Sequence, residues 1–188
     1  MLKKIKKFKI SLRTSHLSKS LKKKINFQET NDSFDKILEQ EIAQALPLIL
    51  PSAIYNTFSK KDTPETLKQL WNQASNKAVS LSMAAVTISS SIEKNINQNS
   101  EFKSTVWNAI AWEGVDQSFR FVEKLIQDEA KLEGCECSPY YPIDSKHLAD
   151  SLSLLESHKA EIQLHPENLL SPYYSRITFC FWTPARKR

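Results

Sequence analysis

Apolar residues recur at helical spacing over most of this chain. Behind Asp32, which can cap a first turn, come Phe34, Ile37, Leu38, Ile42, Ala45 and Leu46, until Pro47 stops the run. Residues 48–58 are apolar and proline-punctuated, and read as a buried connection with one short helix. Asp62, Pro64 and Glu65 resemble a capping box. The stripe behind them (Leu67, Leu70, Trp71, Ala74, Ala78, Leu81, Ala85, Ile88, Ile92) predicts the longest helix of the chain. One stretch within it, Val86 to Ser91, has poor intrinsic helix propensity and would need tertiary packing to stay helical.

Ser100 opens another helix carrying Phe102, Val106, Ala109 and Ile110, then Val115, Phe119, Val122, Leu125 and Ile126. These two sets point in different directions on one wheel, which predicts a bend at Gly114 or two packing partners. Gly134 suits the helix's C-terminal cap. A last helix starts at Asp144 or Ser145, with Leu148, Leu152, Leu155 and Ile162 on one side. Arg176 to Trp182 is the one strong β signal, and its expected partner is residues 161–165 or a second copy of the chain.

These elements predict a mostly α fold: an antiparallel bundle of four to five helices, a small C-terminal β element near residues 175–183, and a flexible basic N-terminal arm. The arm is placed at residues 1–30 and a single helical domain at 31–188. Within the arm, Leu2, Ile5, Phe8 and Leu12 share one sector of a wheel, but like-charge repulsion argues for disorder until something binds.

Composition tightens this picture. Gly114 and Gly134 are the only glycines, so tight hairpins, bulged barrels and phosphate-cradling loops are nearly excluded. Three cysteines, Cys135, Cys137 and Cys180, without a framework spacing suit reduced thiols in an intracellular, cytoplasmic protein. No apolar run is long enough for a secretory signal or a membrane span, so the chain reads as soluble. The net charge of +5 averages two unlike parts, since residues 1–28 hold ten cations and no acid, leaving 16 cations against 21 acids elsewhere.

The chemistry on offer is sparse. Cys135 and Cys137, with His147, His158 and His165, are weak metal candidates, because one intervening residue is fewer than structural zinc pairs use. Cys137 with His147 makes a poor nucleophile and base, since Glu133 and Glu136 would raise the thiol's pKa. Glu113, Asp116, Arg120 and Glu123 read as a solvated, ion-paired face. Cofactors are expected to be none. The residues singled out for a protein partner or a second copy are Trp107, Trp112, Phe119, Phe181 and Trp182. Those for an anionic partner, nucleic acid or a membrane surface, are Lys3, Lys4, Lys6, Lys7, Lys22, Lys23 and Lys24, aided by the tail Arg186-Lys187-Arg188. The arm also has the amphipathic, acid-free character of a mitochondrial targeting segment, with lysine replacing arginine. Ser138-Pro139-Tyr140-Tyr141 recurs as Ser171-Pro172-Tyr173-Tyr174, with unmatched flanks.

Three functional classes follow. The first is a non-catalytic helical adaptor or complex subunit that docks to proteins. The second is a nucleic-acid-associated protein using the arm, and the third an enzyme with a pocket between helices.

Overall fold

The computed structural model describes residues 2–25 and 31–185. A six-stranded antiparallel sheet organises them, in the order β1 (Lys3–Lys6), β2 (Ser52–Ser59), β3 (Ser80–Thr87) and β8 (Ser175–Pro184), with β4 (Cys135–Cys137) and β5 (Tyr141–Pro142) both pairing with β8. A second ladder joins β6 (Gln163–Leu164) to β7 (Leu170–Ser171). One face of the large sheet carries α1 (Thr14–Ile25), α2 (Asn31–Ala45), α3 (Ser91–Ile96) and α4 (Glu101–Leu132). The other carries the 3-10 helix Glu65–Gln73, α5 (Ser145–Leu154) and the 3-10 turn Ser157–Ala160. The bundle expected from periodicity is therefore replaced by a three-layer α/β arrangement.

The expected long helix behind Asp62 is the instructive error. Its first part is the 3-10 helix Glu65–Gln73, and its second part is β3, every residue of which after Ser80 is buried. Along β3, Leu81, Met83 and Ala85 enter the core on the α5 side, while Ala84 and Val86 enter the core under α4. A strand covered on both faces shows no polar alternation, and an uninterrupted apolar run imitates a buried helix. The weak helix propensity of Val86 to Ser91 was the local signal of this.

Residues 48–58 are corrected for the same reason: they supply β2, with Ile54 on one face and Ala53 and Tyr55 on the other. Scarce glycine does not forbid a sheet whose strands are joined by long connections. The one short return, between β6 and β7, places Asn168 at φ 58°.

The flexible arm is also corrected. Its first residues form the edge strand β1, and α1 buries Leu17 and Leu21 completely or nearly so, at 2% and 0% exposure. Phe8 stacks on Phe121 of α4 with ring centroids 4.6 Å apart. Charge helps: Lys3 reaches Glu129, Lys6 reaches Glu161, Arg13 reaches Glu113 and Lys22 reaches Asp35.

The helix is not interrupted at Gly114, and α4 runs unbroken for 32 residues. Its buried residues recur every fourth position, Val106, Ile110, Gly114, Ser118, Val122, Ile126 and Ala130. A four-residue step overshoots a 3.6-residue turn by about 40°, so the buried stripe winds round a continuous helix. That winding is what makes the apolar sets disagree on one wheel. The C-terminal strand is where its sequence put it, but it pairs with β3, β4 and β5 rather than with residues 161–165.

Candidate functional site: an acidic, tyrosine-lined cleft

A concavity lies where α3, the start of α4 and the turn before β8 meet. It has a volume of about 400 Å³, within the roughly 300–1,000 Å³ typical of small-molecule sites, and is lined by Glu93, Asn97, Glu101, Asn108, Tyr173 and Tyr174 among others. Local chemistry sets each wall. Ile92 and Ile96 hold α3 down. The Ser104 hydroxyl donates to the Ile96 carbonyl at 2.7 Å and ties the end of α3 to α4. Across the cleft, the Ser175 hydroxyl donates to the Pro172 carbonyl and the Thr87 hydroxyl to the Tyr174 carbonyl, which fixes the turn carrying both tyrosines.

The tyrosines play different parts. Tyr174 is buried; its hydroxyl donates to Asn108 Oδ1 at 3.0 Å and its backbone N–H donates to Glu93 Oε1 at 3.3 Å. Burial, with Tyr173 and Glu93 nearby, pushes its phenol up to about 12, so it stays a neutral donor. Tyr173 is 56% exposed and offers a ring to the cleft. Trp112 stands edge-on to both, at 5.8 and 5.5 Å between centroids. With Asn108 accepting from Tyr174, the amide NH₂ of Asn108 is left to donate. The site thus combines carboxylates, an amide donor and an open aromatic face, a set suited to a ligand with a cationic group and a flat ring.

Beyond Asn108 and Trp112, a recess of about 200 Å³ reaches His16, Glu113 and Asp116. Glu113 is buried, and its carboxylate is heavily bonded. It accepts from Arg13 Nε at 2.7 Å, Arg13 Nη2 at 3.0 Å and Gln117 Nε2 at 2.7 Å, and lies 3.2 Å from His16 Nδ1. Burial pushes this carboxyl up, but the Arg13 and Gln117 hydrogen bonds and the Arg13 charge outweigh it and hold the group below its usual value. Asp116 pairs with Arg176 at 2.7 Å. Glu113 and Asp116 are therefore engaged in holding α1 and β8 against α4.

No family model matches the chain, and no curated protein matches its sequence. Among solved structures, the crystal structure of the MetH reactivation domain bound to AdoHcy aligns with a TM-score of 0.65 at 11% identity, covering 100% of this chain and 80% of that one. The two share a fold. The likeness runs the whole length of the chain and so includes the N-terminal segment.

Of the residues singled out for a partner, none lines the cleft; Trp112 lines the neighbouring recess and packs against the two tyrosines. Trp107 is 4% exposed and donates through Nε1 to Glu41 at 2.6 Å. Phe181 and Trp182 are each 2% exposed in the central strand, and Phe119 packs edge-on against Tyr140 at 5.1 Å. Lys4, Lys7 and Lys23 are exposed, Lys3, Lys6 and Lys22 are ion-paired, and the side chain of Lys24 lies outside the described residues, as do residues 186–188. Among the described residues, no three His, Cys, Asp or Glu side chains are placed to hold a metal ion, and no helix is long and apolar enough to cross a membrane. Sequence reasoning missed Glu93, Asn108 and Tyr173. The repeated Ser-Pro-Tyr-Tyr was the available signal, since its second copy supplies the cleft's aromatic wall.

Proposed function

We propose that this chain is a small-molecule-binding domain whose cleft takes a ligand joining a flat heteroaromatic ring to an ammonium group, with AdoHcy as the representative. The observation that carries the reading is the pairing of an exposed aromatic face, Tyr173, with the carboxylates Glu93 and Glu101 in a recess of about 400 Å³. The ring of such a ligand would lie on Tyr173 and its ammonium group would face the carboxylates. The fold shared with the MetH reactivation domain bound to AdoHcy supports the choice of probe, although a fold by itself does not assign a function. This reading shares its pocket, though not a catalytic role, with the third class read from the sequence, an enzyme with a pocket between helices.

Titrating the full chain with AdoHcy, following tryptophan fluorescence, tests the proposal, because Trp112 touches Tyr173. Saturable quenching is expected, weakened roughly tenfold in Tyr173→Ala, since one ring stack contributes about 1–3 kcal/mol. No saturation at millimolar ligand, or equal affinity in Tyr173→Ala and Glu93→Gln, would overturn it.

A further inference from the structure

A second cluster of reactive side chains lies away from the cleft, where the edge strand β4 meets β8. In this ladder Cys137 stands opposite Trp182, and the pairing continues as the Ser138 N–H donates to the Phe181 carbonyl at 2.8 Å. Cys137 and Cys180 are therefore diagonal neighbours on the same face of the sheet. Both sulfurs turn under α4, Cys180 completely buried and Cys137 half-buried at its margin. Ideal diagonal Cα atoms sit roughly 7–8 Å apart, beyond the usual disulfide span, so forming the bond draws β4, a three-residue edge strand, toward β8. The two thiols and the Tyr140 hydroxyl interact as one cluster.

The cluster polarises the pair. Donation from Cys180 lowers the Cys137 pKa against the opposing effects of burial and Glu123, with Lys131 assisting. The acidic neighbours in sequence, Glu133 and Glu136, do not decide its character. Cys180 is raised by the same bond and by burial. Cys135 is a built-in comparison on the same strand: burial and Glu133 raise its pKa, and its thiol bonds to the Glu133 carbonyl at 3.7 Å.

We infer that Cys137 and Cys180 form a peroxide-reactive dithiol, Cys137 attacking and Cys180 resolving, that closes into a disulfide joining β4 to β8. In the first step the Cys137 thiolate attacks a hydroperoxide oxygen. The S–O bond forms as the O–O bond breaks, and the departing hydroxide takes up the thiol's proton as water. The Cys180 sulfur then attacks the sulfenic sulfur. The S–S bond forms as S–O breaks, and the Cys180 proton leaves with that oxygen as a second water. Two thiols and one peroxide give one disulfide and two waters, so the thiols are oxidised and the peroxide reduced.

The test is peroxide treatment of the reduced full chain followed by intact mass and peptide mapping, beside alkylation kinetics of the untreated wild type. Expected results are a loss of two mass units with one Cys137–Cys180 link in the wild type and in Cys135→Ser, and a dimedone-trapped sulfenic acid at Cys137 in Cys180→Ser. Iodoacetamide should modify Cys137 at least tenfold faster than Cys135. A Cys135–Cys137 link, oxidation without an internal disulfide, or equal alkylation of Cys135 and Cys137 in the wild type would overturn the inference. Peroxide treatment and peptide mapping of the wild type need no variant, so they decide the matter even if Cys180→Ser fails to fold.

Discussion

Replacing Leu21 by alanine asks whether the lysine-rich N-terminal segment belongs to the cooperative fold. Leu21 is 0% exposed on α1, beside Leu17 and within the same core as Phe34 and Leu38. The substitution removes three carbons from that core, about 2.4 kcal/mol at ~0.8 kcal/mol per group. A residual void adds to this, and measured Leu→Ala costs span roughly 2.7–5.0 kcal/mol. Because α1 lies at the outside of its layer and can settle inward, the lower end applies, about 2.5–3.5 kcal/mol. With a urea slope of about 2 kcal/mol/M the unfolding midpoint should fall by about 1.5 M. Urea unfolding followed by far-UV circular dichroism measures it, with exposed Lys19→Ala as the control, expected within about 0.5 kcal/mol of wild type. A Leu21→Ala midpoint equal to that of the control would refute the integration of α1 and return the segment to a tail.

Stability should stay level from pH 7 to 5 as far as the carboxylates are concerned, and fall below about pH 4.5. Glu113, Asp35, Glu156 and Glu161 all have pKa values depressed in the folded chain, so their contribution is complete above the unfolded values and is lost as pH drops through the folded ones. Urea midpoints across this range check it, and Glu113→Gln should flatten the fall. Gly114→Ala should stabilise by about 0.5–1 kcal/mol, because alanine is the better helix former and its Cβ would meet Ile49 and Ile88 at an ordinary 3.5 Å. Gly134→Ala should cost about 1 kcal/mol, since Gly134 sits at φ +68°. Thermal melts of the two variants should therefore move in opposite directions.

What the sequence disclosed follows from which faces of each element are wet. The helices at 31–45 and 101–132 and the strand at 175–184 were legible, the helices by a polar side and the strand by its β-rich run. β2 and β3 were not, because both faces are dry along nearly all of β3 and the first half of β2, and the alternation that marks a strand vanishes there. The N-terminal segment was hidden by its charge. Its lysines look solvated until the carboxylates that meet them, Glu129 and Glu161, are brought up from more than a hundred residues away. The cleft was illegible for a similar reason: Glu93, Asn108 and Tyr173 lie on three separate elements, and Trp112, which stood out by type, packs against the tyrosines without lining the cleft.

The strand of this sheet that comes last in chain order, β8, occupies its interior rather than its rim. Until residues 175–184 emerge, β3 has an open flank, β4 and β5 have no partner at all, and Phe179, Phe181 and Trp182 are missing from two cores at once. The sheet therefore cannot be completed stepwise during translation. A polypeptide broken off before Ser175 should expose long unpaired strand edges and be cleared or aggregate. The order of strands in space thus makes the emergence of residues 175–184 a condition for folding of this sheet.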